Sequence, residues 1–169
     1  MFIQFVSCWR TVMDDLGNRF ETRSTILVVG DRNRAEMQPI RHWLQGLGDS
    51  AAVRHSSRLP PGTTDDQPLP DLVVVCQSWP DEFSSVEVST CLGRWPLTQW
   101  VVCFGSWCES DARTRGIWPI GLRIPARAAV SRLQHVWEII RNGRAEPLPV
   151  TASRDEAFEF DSARSTGGR

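Results

Sequence analysis

The chain contains no lysine and no tyrosine, although its 169 residues include eight tryptophans and 20 acids against 19 side chains of the lysine–arginine class. All 19 are therefore arginines, and any step that requires an ammonium group or a phenol is excluded. Charge of one sign is also lacking. The formal net charge is −1, so no broad field favours nucleic acid or a membrane surface. Cysteine spacing of metal type is missing too. The five cysteines, Cys8, Cys76, Cys91, Cys103 and Cys108, form no C-x-x-C pair, and their odd number argues against a closed disulfide framework. Cys76 and Cys103 fall inside apolar runs, where a free thiol serves as a small buried hydrophobe. A reducing cytoplasmic setting is the expectation from this usage. No apolar run approaches the roughly 20 residues needed to span a bilayer. The first residues have no basic start ahead of their apolar ones, so they do not read as a signal peptide. No internal repeat is evident.

What is present is ordinary globular material: 41% hydrophobic and 23% charged residues, enough for one domain with its own core and terminal extensions. TILVVG (Thr25 to Gly30) is a continuous apolar run of the kind buried on both faces of a parallel sheet. Met37, Ile40, Trp43, Leu44 and Leu47 then recur at helical spacing, with Gly48 as a C-terminal stop. Asn33 and Glu36 form one candidate capping box; a start nearer Gln38 spares the hydrogen bond that Pro39 would otherwise remove. A second strand is predicted at Ala51–His55, followed by a stretch too rich in proline and glycine for a helix. Further strands are predicted at Asp71–Cys76, Gln99–Phe104 and, interrupted by Pro119 and Gly121, Trp118–Arg123. Helices are predicted at Ser84–Gly93, over a short polar run ending at Gly116, and at Arg127–Arg141. The last puts Val130, Leu133, Val136, Trp137 and Ile140 on one face, with Gly143 as its stop.

Strands alternating with helices imply βαβ units and a doubly wound parallel sheet. Ligand chemistry would then be sought beyond Val29, Val75 and Phe104, at the carboxyl ends of the strands. Residues 1–23 read as an extension. In it Phe2, Val6, Trp9, Met13, Leu16 and Phe20 follow an amphipathic helical spacing, and translation starting at Met13 is an alternative reading. Residues 24–142 form the domain, and 143–169 read as a disordered tail. In that tail, DEAFEFD sets Phe158 and Phe160 among acids.

Four segments carry a resemblance. ILVVGD (Ile26 to Asp31), PDLVVVCQSWP (Pro70 to Pro80), WVVCFGS (Trp100 to Ser106) and RIP (Arg123 to Pro125) resemble the first, third, fourth and fifth strands of the receiver domain of bacterial response regulators. The resemblance implies a three-layer, doubly wound, five-stranded parallel sheet of receiver or flavodoxin-like type, order 2-1-3-4-5. Receiver domains accept a phosphoryl group on a carboxylate at the end of strand three. Two acids at the end of strand one hold Mg²⁺ there, a hydroxyl follows strand four, and a lysine followed by a cis proline ends strand five. Carried over position by position, the acceptor becomes Cys76, the acid pair becomes Gly30 and Asp31, the hydroxyl becomes Gly105 or Ser106, and the lysine becomes Ile124. Asp71 and Asp81 lie at the wrong places along the chain to replace the acceptor.

These departures imply a pseudo-receiver with no catalytic residue, metal or cofactor. It would act as a regulatory or adaptor module in signal transduction, through an unidentified protein partner or self-association, with no nucleic acid and no membrane span. The candidate partner surface is Trp118, Arg123, Trp137, Phe158 and Phe160, since tryptophan and arginine are favoured interface anchors. Two further readings stand beside it. Cys76 could carry thiol chemistry if Arg32 or Arg123 offset Asp31; His42, His55 and His135 are not placed to serve as its base. A flavodoxin-like domain binding a flavin or nucleotide would use Arg32 and Arg34 in the GDRNRAE loop, which is poor in glycine.

Overall fold

A computed structural model describes residues 23–61, 69–108 and 116–142. Five parallel strands make one sheet in the order β2-β1-β3-β4-β5. They are β1 (Thr25–Gly30), β2 (Ala52–Ser56), β3 (Leu72–Gln77), β4 (Gln99–Phe104) and β5 (Leu122–Pro125). Three α-helices are described, α1 (Gln38–Gly46), α2 (Ser85–Arg94) and α3 (Ala129–Arg141). This is the three-layer receiver and flavodoxin-like order expected. The amphipathic pattern of residues 1–23, the polar helix before Gly116 and the tail with Phe158 and Phe160 lie, apart from Arg23 and Gly116, outside the described residues.

The apolar runs of β1, β3 and β4 are buried along nearly their whole length because side chains alternate between two covered faces. Ile26, Val28, Leu72, Val74, Cys76, Val101 and Cys103 meet Ile40, Leu44, Leu133, Val136 and Trp137 of α1 and α3 on one face. Leu27, Val29, Val73, Val75, Val102 and Phe104 meet Val88, Cys91 and Leu92 of α2 on the other, together with Phe83, Trp95, Trp100 and Trp118. Each fully buried aliphatic side chain contributes on the order of 1.5–3 kcal/mol.

Helix α1 starts at Gln38, which places Pro39 in the first turn, where its missing N–H removes no hydrogen bond. The Asn33–Glu36 capping box does not form; Asn33 Oδ1 accepts from Arg41 instead, at 3.2 Å. Capping occurs at α2, where the Ser84 hydroxyl accepts from Glu87 N and the Glu87 carboxylate accepts from Ser84 N.

Strand five departs from its expected position. Residues 118–121 are not strand, and β5 begins at Leu122. Trp118 is instead drawn into the aromatic face, and Gly121 adopts φ +123°, pressed against Trp100. Trp118 and Trp137 are 1% and 4% exposed, which corrects the expectation that they form a partner surface: both rings are core. Arg123 is half-buried on β5.

Candidate functional site: the crevice at the carboxyl ends of the strands

The sheet register sets Gly30 beside Cys76 and Cys76 beside Cys103, with Ile124 next in line, so the expected site positions do converge at one end of the sheet. Their chemistry is another matter. Gly30 has φ +94°, a conformation that favours glycine, and a Cβ there would overlap the Cys76 carbonyl and press on the Phe83 ring. The first position of a would-be acid pair is thus sterically closed to any side chain. Asp31, at the second, is exposed and folded onto its own loop. One carboxylate oxygen accepts from Asn33 N at 2.9 Å, and the other pairs with Arg34 Nε at 3.2 Å.

Cys76 is fully buried. Its thiol is pushed up to about 12, by burial first and then by the negative charges of Glu82 and Asp31, with Arg32 opposing weakly. Cys103 beside it is raised as well, chiefly by burial. At neutral pH both are protonated and unreactive. Ile124 is buried beneath the end of β5, and no cis peptide occurs among the described residues, so the Ile124–Pro125 bond is trans.

The floor of the crevice is occupied by carboxylates that pattern reading did not find. Glu36, from the turn before α1, reaches across the sheet so that its Oε2 accepts from Ser106 N at 2.8 Å. A Cβ at Gly105 would collide with that carboxylate, so glycine at this position makes room for it. Glu82, from the loop after β3, accepts from Ser78 N at 2.7 Å and Trp79 N at 3.3 Å. The backbone N–H groups of Ser78 and Trp79 after β3 and of Ser106 after β4 are therefore bound to the chain's own anions. The Ser106 hydroxyl remains exposed.

Beneath this layer Gln77, fully buried, ties the loops together. Its amide nitrogen donates to Trp79 O at 3.0 Å, its amide oxygen accepts from Trp118 Nε1 at 2.8 Å, and its backbone carbonyl accepts from Gly105 N at 2.8 Å. Above it, Trp79 and Trp107 stack at 6.1 Å between ring centroids and 21° between planes, with the Arg34 guanidinium 5.6 Å from the Trp79 ring. These two rings are 45% and 69% exposed, the aromatic exposure that Trp118 and Trp137 do not provide. Asp71, at the opposite end of β3, accepts from Thr25 N at 2.7 Å and serves as a clamp between strands. Among the described residues no group of three or more histidine, cysteine or acidic side chains could hold a metal ion. None of the described helices is long and apolar enough to cross a membrane.

No family model matches the chain, and no curated protein matches it. Solved structures similar to it include the response regulator RcsB of Salmonella typhimurium, at a TM-score of 0.47 and 11% identity over 88% of this chain and 80% of that one. An adenylate cyclase from Rhodopirellula baltica is similar at a TM-score of 0.44 and 12% identity, over 72% of this chain and 94% of that one. Neither likeness bears on activity.

Proposed function

We propose that this is a receiver-like regulatory or adaptor module that takes up no phosphoryl group and works through protein contacts in signal transduction. The observation that carries the reading is the double occupancy of the crevice by Glu36 and Glu82. A phosphoryl group or its analogue needs N–H donors and a cation beside it. Here the N–H groups of Ser78, Trp79 and Ser106 already hold carboxylates. Two carboxylates, Glu36 and Glu82, therefore stand where an incoming dianion would bind, while Asp31 beside them is paired with Arg34. The residue aligned with the acceptor is a protonated thiol under the surface. Partner contact would fall to Trp79 and Trp107, whose stacked rings stand out beside the crevice. Large rings with little conformational freedom suit interface anchors.

The direct test is titration of the full chain with Mg²⁺ and beryllofluoride, a phosphoryl analogue, followed by the amide resonances of Ser78 and Ser106. The expected result is no saturable shift, and no phosphoryl adduct by mass after exposure to acetyl phosphate. A Mg²⁺-dependent shift at either amide, or an acyl-phosphate anywhere on the chain, overturns the reading. The thiol alternative loses ground through the raised value at Cys76, and nothing in the loop after β1 favours the flavin alternative.

A further inference from the structure

The mouth of the crevice carries charge and ring surface that phosphoryl chemistry does not use. Glu36 and Glu82 are half-buried, and each accepts its backbone N–H bonds through Oε2 alone among the described residues. No described arginine pairs with either carboxylate. The cations nearest in the chain are engaged elsewhere: Arg34 holds Asp31, and Arg32 donates to His55. Carboxylates partly withdrawn from water are ordinarily met by a counter-charge, and here two of them meet only amides. Ser78, whose N–H holds Glu82, adds an independent sign. Its hydroxyl is buried and has no hydrogen-bond partner, so an acceptor at the same end of β3 is left for a donor.

The rings stand beside these groups through the backbone itself. Trp79 N binds Glu82, and Trp107 directly follows Ser106, whose N–H binds Glu36. The chain's own Arg34 demonstrates what such a pairing accepts. Its guanidinium lies 5.6 Å from the Trp79 ring while its Nε meets Asp31 at 3.2 Å. One planar cation thus satisfies an indole face and a carboxylate together. Trp107 is the more exposed of the two rings, and no described cation lies over it.

We infer that the crevice mouth receives an arginine side chain from a partner protein, its guanidinium flat on Trp107 and its N–H groups donating to Glu36, with Glu82 adding negative charge. The inference rests on the reading of Trp79 and Trp107 as the partner contact and gives that partner's chemistry. Arginine fits where other cations do not. A lysine ammonium has no plane to lay on an indole, and a quaternary ammonium has no N–H to give a carboxylate.

Titration of the full chain with the blocked peptide acetyl-Gly-Arg-Gly-amide, followed at the indole N–H resonances of Trp79 and Trp107, tests it. Saturable shifts with a dissociation constant on the order of 1 mM are expected. Glu36→Gln removes the charge but keeps an oxygen for Ser106 N; it should weaken binding about fivefold, as should Trp107→Ala. Slow amide exchange at Val74 and Val102 certifies the fold of both variants. No saturation up to about 10 mM peptide overturns the inference. So does equal binding of the lysine peptide or of tetramethylammonium, or undiminished binding to both variants. A dimer in sedimentation that Trp107→Ala dissolves overturns it too, because the occupant would then be a second copy. A failed peptide titration with no beryllofluoride shift removes the arginine site alone, whereas a beryllofluoride shift removes the non-phosphoryl reading on its own account.

Discussion

On one face of the sheet, α1 and α3 lay Ile40, Leu44, Leu133 and Val136 across β1, β3 and β4, and neither helix has a side-chain hydrogen bond at its N-terminus. On the other, α2 shares the surface with Trp95, Trp100, Trp118 and Phe83, and its first turn is held by the reciprocal Ser84–Glu87 cap. Trp100 stands at the middle of this cluster, 6.1 Å from Trp95 and from Trp118 between centroids, and Phe83 meets Trp118 edge-on at 5.8 Å. The contrast teaches that a sheet face can be sealed by helical surface or by ring volume. The helices that rest on aliphatic packing start without a side-chain cap, whereas the helix beside the rings is fixed by one at its own end.

Three substitutions sharpen the contrast. Trp100→Ala should have the largest effect, about 4 kcal/mol by urea unfolding, because it empties the centre of the ring cluster. Leu133→Ala on the helical face should cost about 3 kcal/mol. An equal or larger loss there would mean that the aliphatic face dominates. Ser84→Ala should cost about 1 kcal/mol at neutral pH, read as a shift in melting temperature. Its pH dependence carries a sign. The hydrogen bonds from Ser84 hold the Glu87 carboxyl below its ordinary value of 4.5. The stability this gives is present above that pH and is lost as pH falls through the depressed folded value. The gap between the native chain and Ser84→Ala should therefore narrow in acid; a gap that stays constant to pH 3 would remove Glu87 from the account.

Most of the sheet was legible in the sequence. β1 and β4 lie at the expected residues, while β2 and β3 are displaced by a single residue at each end, because unbroken apolar runs announce buried parallel strands. β5 was misplaced because apolar residues at Ile117, Trp118 and Ile120 look like strand, whereas they fill the ring cluster. The crevice positions were legible through strand order alone. Its occupants were not: Glu36 reaches Ser106 from 70 residues away, and no local pattern marks so distant a contact. Glu36 was instead matched to Asn33 as a cap. The S-x-x-E signature at Ser84 and Glu87 was present in the sequence but passed over.

The stacked pair at the mouth of the crevice has a practical consequence. Most of the described tryptophans are shielded, while Trp79 and Trp107 are exposed, Trp79 next to Glu82 and beneath Arg34. Water-soluble quenchers would reach those two indoles first, so the protein carries its own optical reporter at the place where a visitor would arrive.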